Sequence, residues 1–139
     1  MRVDGIAYAK LNWGVHMYRV SVKRHFDAAH GLRGYHGKCE NLHGHRWEIV
    51  VSVAGHDLDK DGMACDFTVL KNALDGVLER YDHHNLNEVP PYDSLNPSSE
   101  NIARIIYEQM CIALPAYRIE QVEAWESPDA WATFIPDTL

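Results

Sequence analysis

The stretches MYRVSVKRHFDAAH, residues 17–30, and HGHRWEIVVSV, residues 43–53, decide the fold. In each, apolar residues alternate with polar ones, which is typical of a strand that buries one face and exposes the other. The apolar rows are Tyr18, Val20 and Val22 in the first stretch and Trp47, Ile49, Val51 and Val53 in the second. We therefore predict two half-buried strands that follow each other in the chain.

Three histidines extend these apolar rows. His30 has the parity of the first row, and His43 and His45 have the parity of the second. Because side chains alternate between the two faces of a strand, both rows can deliver imidazoles to one pocket, unless a β-bulge shifts either strand. Three neutral imidazoles suit Zn²⁺ and leave its fourth position open for water or substrate. The pattern predicts a catalytic zinc site, against the alternative of ordinary surface or core histidines.

Cys39 stands four positions before His43 and leaves two alternatives open. In an open site it is a free thiol that acts as a nucleophile or base, with a pKa set by nearby positive charge. In a closed site it is the fourth metal ligand, and the metal only stabilises the fold. A thiol reagent separates the two, because a ligated thiolate reacts slowly until the metal is removed.

Length and composition predict one globular domain, residues 18–139, after an N-terminal extension, residues 1–17. The chain has 139 residues and is 46% hydrophobic, with no apolar run near the ~20 residues of a membrane span. The extension lacks the apolar centre of a signal peptide. An odd count of three cysteines argues against a disulfide framework and for a reducing compartment, so we expect a cytoplasmic protein with Cys65 and Cys111 in the core.

Charge excludes one class of partner and favours another. The formal net charge of −7 makes nucleic acid an unsuitable partner, since phosphate binding needs a basic footprint. The window of residues 23–46 nevertheless carries +3, from five basic and two acidic side chains: Lys23, Arg24, Arg33, Lys38, Arg46, Asp27 and Glu40. A basic window beside a metal predicts a small anionic substrate, with chance clustering of charge as the alternative.

Two helices follow the strands. Asp66 is placed to cap the first helix, whose apolar stripe is Phe67, Leu70, Leu74, Val77 and Leu78. The second begins at NPSSE, residues 96–100, ends near Pro115, and turns its apolar residues inward: Ile102, Ile105, Ile106 and Met110. Both stripes predict core packing and not a cofactor site.

Two short strands, at about 118–126 and 130–135, complete a ββααββ order. This order predicts an α+β fold with a four-stranded antiparallel sheet and two helices on one face. Such a sheet has exposed edges, which pair readily with other strands. We therefore predict a homo-oligomer that assembles edge to edge.

The motif YDHHNLN, residues 81–87, lies between the helices. His83 is a candidate general acid/base, because an imidazole titrates near neutral pH and a carboxylate such as Asp82 can orient it. Side chains of adjacent residues diverge in an extended chain, so this pair requires a turn of the backbone. The alternative is a polar loop that caps the helices.

Five motifs, in this order and spacing, resemble the 6-pyruvoyltetrahydropterin synthase and 6-carboxytetrahydropterin synthase family: FDAAH, CENLHGH, YDHHNLN, PSSE and VEAWES. The resemblance runs from about residue 18 to 135. Three residues separate Cys39 from HGH, and this spacing resembles that of the 6-carboxytetrahydropterin synthase branch. The resemblance implies the tunnelling fold (T-fold), in which ββααββ subunits join their sheets into barrels as trimers or hexamers, with active sites at subunit interfaces.

The resemblance also implies roles for individual residues. His30, His43 and His45 would bind zinc, Cys39 would be the general base, and Asp82 with His83, from a neighbouring subunit, would be the acid/base pair. Glu126 would bind the pterin, since a carboxylate can accept two parallel hydrogen bonds from the 2-amino and N3 groups of the pterin ring. Ser99 and Glu100 would line the same pocket. The alternatives are an exposed strand-end glutamate and residues that only cap a helix.

The implied substrate is 7,8-dihydroneopterin triphosphate, and the implied products are 6-carboxy-5,6,7,8-tetrahydropterin, acetaldehyde and triphosphate, in queuosine biosynthesis. The basic window, residues 23–46, would meet the triphosphate. Two alternatives stay open. One is a pyruvoyl-type or other side-chain-cleaving pterin enzyme with the same ligands, and the other is a zinc-stabilised binding module without catalysis.

Overall fold

A computed structural model of the chain describes residues 2–3, 6–7 and 16–137. In it Arg2–Val3 pairs with Ile6–Ala7, apart from the main sheet. The predicted N-terminal extension, residues 1–17, lies mostly outside the described residues, so its boundary stays a prediction. No helix of the described residues is long and apolar enough to cross a membrane.

The predicted element order is confirmed, with one addition. The elements are β1 (Tyr18–His30), β2 (His43–Gly55), α1 (Phe67–Leu78), β3 (His84–Asn85), α2 (Ser99–Ala113), β4 (Arg118–Ser127) and β5 (Ala130–Phe134). The main sheet has the order β3-β1-β2-β4-β5, and every neighbouring pair is antiparallel except β3 with β1. The prediction of four antiparallel strands is therefore corrected to five, because the two residues of β3 are too short to show an alternating pattern.

The register between β1 and β2 is unbroken. It runs from Tyr18 opposite Gly55 to His30 opposite His43. Register shifts occur only where β4 meets its two neighbours, near Val53 on one side and near Trp125 on the other. No bulge therefore disturbs the parity of the first two strands, and their inward rows reach the same end of the sheet.

The two helices cover one face of the sheet and enclose the core. The Asp66 carboxylate accepts a hydrogen bond from Thr68 N at 2.8 Å and caps α1 as predicted. The predicted inward residues of both helices are buried, which stabilises the fold by roughly 1.5–3 kcal/mol for each large aliphatic side chain. Phe67 is the exception: it is 57% exposed, so its assignment to the core stripe is wrong. It is the first residue of α1 and lines a surface depression with Leu58 and Met63.

The sheet keeps an open edge along most of β1. The short β3 covers only Ala28 and Ala29, and within the described residues the rest of that edge has no strand beside it. All three cysteines are free thiols, with Cys65 buried and Cys111 half-buried against the core. The predicted edge-to-edge oligomer remains a prediction.

Candidate active site

The three predicted histidines meet at the end of the β1–β2 hairpin, on the face that the helices cover. The register places His30 opposite His43 and Ala28 opposite His45. The ring centroids lie 4.6 Å apart for His30 and His43, 4.7 Å for His43 and His45, and 5.2 Å for His30 and His45. His30 is buried, and the other two are half-buried. The parity of two strands thus brings the three imidazoles together.

Backbone carbonyls select which nitrogen faces the pocket in two of the three rings, those of His30 and His43. His30 Nδ1 lies 2.7 Å from the carbonyl oxygen of Pro97, and His43 Nδ1 lies 2.5 Å from that of Asn41. A carbonyl only accepts hydrogen bonds, so each Nδ1 carries the hydrogen and Nε2 keeps its lone pair. Partners of this kind orient metal-binding histidines in proteins.

Glu126 joins this group, which we call the histidine cluster: His30, His43, His45 and Glu126. Its Oε1 lies 3.1 Å from His30 Nε2 and 3.3 Å from His45 Nε2. Glu126 has the parity of Val122 and Ala124, the buried residues of β4, so strand parity places it on the same face as the histidines. It is also the extra residue of a β-bulge, because Trp125 pairs with Trp131 and Ser127 with Ala130.

The four side chains fit a divalent metal ion. Their ligand atoms all lie within 4.8 Å of one another. Despite the nearby carboxylate, His30 Nε2 and His45 Nε2 are buried without an aligned hydrogen-bond partner among the described residues. Buried polar atoms in that state are costly unless they meet a hydrogen-bond donor or a cation. Convergent imidazole lone pairs beside a carboxylate can therefore hold a metal.

Burial favours the metal-binding form of two imidazoles, those of His30 and His45. Desolvation lowers the pKa of His30 below its ordinary value, against the opposing effects of the Pro97 carbonyl and the Glu126 carboxylate. Desolvation also lowers the pKa of His45. A neutral imidazole offers its lone pair, whereas a protonated one repels a cation.

Cys39 lies outside the histidine cluster. It sits in a single 3₁₀ turn, Lys38–Glu40, where its side chain is half-buried. The carbonyl of Cys39 accepts a hydrogen bond from Leu32 N at 2.8 Å, which ties the turn to the segment that follows β1. Its sulfur is not among the ligand atoms that converge within 4.8 Å. The geometry therefore resembles the open arrangement more than the closed one.

Asp82 and His83 contact each other. The turn of the backbone that this contact requires is present at His83. His83 Nδ1 lies 2.9 Å from Asp82 Oδ1, and His83 has a φ of 60°, in the left-handed region. A non-glycine residue there costs free energy and needs support. Asp27 supplies it, because its carbonyl accepts from His83 N at 2.6 Å and its N–H donates to Asp82 Oδ1 at 3.0 Å. That second hydrogen bond, more than His83, lowers the pKa of Asp82.

The Asp82–His83 pair lies beside the Asp27 carboxylate and is not part of the histidine cluster. The ligand atoms of Asp27, Asp82 and His83 lie within 4.8 Å of one another. Asp27 has the parity of the helix-free face of β1 and forms an ion pair with Arg46 at 3.0 Å. His83 lines a depression together with Asp27, Arg46 and His45, and its side chain is 78% exposed. Within one chain the pair and the cluster are therefore two separate groups of side chains. Sequence reasoning missed Asp27, since nothing in the pattern of β1 marks it.

The start of α2 lies beside the histidine cluster. The Pro97 carbonyl that contacts His30 comes two residues before Ser99, the first residue of the helix. Ser98 caps the helix by accepting from Asn101 N at 3.2 Å, so the cap is neither Ser99 nor Glu100. Glu100 is exposed in the first turn. The side-chain cap is therefore Ser98, and a pocket-lining role for Ser99 and Glu100 stays a prediction.

Most basic side chains of the predicted basic window are already paired with other groups of the same chain. Lys23, Arg24 and Arg46 form ion pairs with acidic side chains. Arg33 donates to the carbonyls of three residues in the connection between the helices. Within the described residues, the exposed Lys38 is the only one of the five basic residues whose side chain makes neither an ion pair nor a hydrogen bond. The expected free basic surface is therefore much smaller than the sequence suggests.

Comparison with known proteins supports one family. The family model for 6-pyruvoyl tetrahydropterin synthase matches residues 19–137. A dihydroneopterin monophosphate aldolase of Pyrococcus furiosus is 37% identical over 78% of this chain and 89% of that protein. A 6-carboxy-5,6,7,8-tetrahydropterin synthase of Bacillus subtilis is 29% identical over 86% of each chain.

A solved structure supports the same assignment. The 6-pyruvoyl tetrahydropterin synthase of Caenorhabditis elegans superimposes with a TM-score of 0.80 at 27% identity, over 88% of this chain and 98% of that one. The fold is therefore the T-fold that the sequence motifs implied. The chain belongs to the 6-pyruvoyl tetrahydropterin synthase family, a family of enzymes.

Proposed function

We propose that this chain is a zinc-dependent 6-carboxytetrahydropterin synthase, a carbon–carbon lyase of queuosine biosynthesis. It would convert 7,8-dihydroneopterin triphosphate to 6-carboxy-5,6,7,8-tetrahydropterin, acetaldehyde and triphosphate. The observation that carries the proposal concerns the Nε2 atoms of His30 and His45, which are buried beside Glu126 without an aligned hydrogen-bond partner in the described part of the chain. The motif around Cys39 and the Bacillus subtilis relative support this product over others in the family.

His30, His43 and His45 would hold the metal through Nε2. When bound, zinc acts as a Lewis acid on the oxygens of the pterin side chain. Glu126 lies close enough to two of the histidines either to ligate the ion or to accept hydrogen bonds from a pterin beside it. Glu126→Gln separates these roles: a ligand loses metal affinity, whereas a pterin contact raises KM with the metal retained.

Cys39 and His83 would move protons on the substrate. Cys39 lies on the turn that is tied to the segment after His30, which keeps its thiol near the cluster end of the sheet. Asp82 would orient the His83 imidazole through the 2.9 Å contact with its Nδ1. Because this pair groups with Asp27 and not with the cluster of its own chain, we assign the pair to the cluster of a neighbouring subunit. Ser99 and Glu100, at the start of α2, would line the pterin pocket.

Product identification tests the proposal. Purified zinc-loaded protein is incubated with 7,8-dihydroneopterin triphosphate, and the small molecules are identified by mass spectrometry. We expect 6-carboxytetrahydropterin and acetaldehyde, whereas a product that retains the three-carbon side chain would contradict the proposal. Cys39→Ala should keep the metal and lose turnover, with Cys111→Ala, the other half-buried free thiol, as the matched control.

A second activity is favoured by two observations. The Pyrococcus furiosus relative is named as an aldolase of dihydroneopterin monophosphate. The basic window is also mostly paired within the chain, which leaves little charge for a triphosphate. The same assay with the monophosphate ester would then release a phosphorylated two-carbon aldehyde. Conversion of neither ester would favour the non-catalytic binding module.

A further inference from the structure

We propose that Asn87 is a positioning residue for the histidine cluster. Its side-chain amide holds the peptide that follows His30, and through that peptide it fixes both the His30 imidazole and the turn that carries Cys39. The inference rests on the proposed function only in requiring that the cluster binds a metal ion. Asn87 touches none of the reacting groups, so its effect is exerted through His30.

Asn87 pairs with Gly31 as a neighbouring strand would. Its Oδ1 accepts a hydrogen bond from Gly31 N at 2.8 Å, and its Nδ2 donates to Gly31 O at 2.8 Å. Strand β3 ends at Asn85, so this side chain continues the pairing along the edge of β1 beyond the last residue of that strand. Two short hydrogen bonds to one residue fix the orientation of both its peptide groups.

Asn87 is itself held rigidly. Its backbone N–H donates to Asn85 Oδ1 at 3.1 Å, which caps the 3₁₀ turn Leu86–Glu88. Leu86, in the same turn, is fully buried in the core. Because the turn is anchored in this way, the Asn87 side chain can hold its hydrogen-bonding partner in a fixed position.

The opposite side of Gly31 is closed by the segment that carries Cys39. A Cβ atom on Gly31 would lie 2.9 Å from the carbonyl oxygen of Glu40, closer than real Cβ contacts allow. Leu32 N also donates to the carbonyl of Cys39 at 2.8 Å. The Gly31 peptide therefore lies between the Asn87 amide and the Cys39 turn, and a shift of this peptide would displace the turn as well.

His30 has two supports, and Asn87 provides the one on its backbone. Pro97 O fixes the ring through Nδ1, and the Gly31 N–H, which Asn87 binds, belongs to the peptide plane of the His30 carbonyl. A metal ligand must be held within about 0.5 Å of its productive position. Loss of a supporting partner outside the ligands typically costs roughly 10–100-fold in metal affinity.

Asn96 offers a matched control. It accepts from Arg33 N at 2.9 Å and donates to Arg33 O at 3.0 Å, so it makes the same two-point pairing two residues further along the chain. The backbone of Asn96 stays anchored when its side chain is truncated, because its carbonyl accepts a hydrogen bond from Asn101 Nδ2 at 2.9 Å. Asn96→Ala therefore removes equivalent hydrogen bonds without releasing the peptide next to His30.

The test is zinc affinity, measured by competition with a chromophoric chelator, for the wild type, Asn87→Ala and Asn96→Ala. We expect about a 10–100-fold loss for Asn87→Ala and less than about a threefold loss for Asn96→Ala, with similar decreases in Tm of the metal-free proteins. The rate of Cys39 modification should rise only in Asn87→Ala. Equal zinc affinities of the two variants, or an unchanged affinity for Asn87→Ala, would overturn the inference.

Two further measurements keep the test decisive. If Asn87→Ala does not fold, Gly31→Ala displaces the same peptide from its other side and should weaken zinc binding to a similar extent; unchanged zinc affinity in that variant would overturn the inference. If the wild type binds no zinc, the proposed function fails, and the inference fails with it. If the wild type binds zinc and Asn87→Ala binds it equally well, only the inference fails.

Discussion

The histidine cluster and the Asp82–His83 pair are separate groups of side chains and are built in opposite ways. In the cluster, the buried Nε2 atoms of His30 and His45 lack an aligned hydrogen-bond partner among the described residues. In the pair, the Asp82 carboxylate already receives two hydrogen-bonding partners, and the imidazole is exposed. Unused buried lone pairs suit a cation, whereas an oriented exposed imidazole suits proton transfer. This contrast supports the proposal that each active site takes its cluster and its pair from different subunits.

The largest effect should follow removal of a cluster ligand. His45→Ala should abolish stoichiometric zinc binding and lower turnover by more than about 10³-fold, because both metal and substrate polarisation are lost. His45 is chosen because it is half-buried, whereas His30 is also part of the core. Elemental analysis and the product assay measure the two quantities.

The control for that variant is His56→Ala. His56 is exposed, and its Nδ1 contacts only the His16 carbonyl at 2.6 Å among the described residues, at the other end of β2. It should keep full zinc content and activity. Full zinc content in His45→Ala would show that the cluster is not the metal site.

The pair should behave differently from the cluster. His83→Ala should keep its zinc and lower turnover by roughly 10²–10⁴-fold, the usual contribution of a positioned acid/base group. His84→Ala is the matched control, because His84 is also exposed but contacts the Asp82 carbonyl instead of its carboxylate. Zinc loss in His83→Ala, or equal activity losses in the two variants, would remove the distinction between the regions.

Mixing the two inactive chains tests whether they share a site. After co-refolding of His45→Ala with His83→Ala, random assembly should restore about one quarter of wild-type activity if each site takes its cluster and its pair from different subunits. Each variant alone stays inactive. Absence of recovery in a mixed oligomer, shown by differentially tagged chains, would place both groups of one site on the same chain.

The smallest effect should appear at the Arg19–Glu120 ion pair. Arg19 shares the helix-free face with Asp27, and its guanidinium lies 2.6 Å from Glu120. Hydrogen bonding from Arg19 lowers the pKa of Glu120, so the stabilisation is present above the ordinary value of 4.5 and is lost as pH falls through the lower folded value.

Glu120→Gln should therefore lower Tm by about 1–3 °C at neutral pH and by less as pH falls below 4.5. Thermal denaturation at several pH values measures this difference, and zinc content is the parallel control. A constant difference at all pH values would exclude the ion pair as its cause. A change in zinc content would connect this face to the metal site.

The sequence was informative where the backbone is regular. His30, His43 and His45 could be brought together from parity because β1 and β2 pair without a bulge. The cap at Asp66 and the buried stripes could be predicted because helices repeat every 3.6 residues. These features depend on local periodicity, which a single sequence carries.

The sequence was uninformative where tertiary contacts decide. His83 reaches Asp82 through a left-handed backbone that Asp27 supports. Asn87 pairs with Gly31 across the chain. Each of these contacts joins residues far apart in sequence or departs from regular geometry. A repeating sequence pattern therefore cannot predict it.

The central claim is that imidazole nitrogens hold the metal and that the Cys39 sulfur does not. X-ray absorption spectroscopy of the zinc-loaded protein without substrate tests it directly. We predict nitrogen and oxygen ligands at about 2.0–2.2 Å, with scattering from three imidazole rings. A sulfur ligand at about 2.3 Å would contradict the claim and assign Cys39 to the metal.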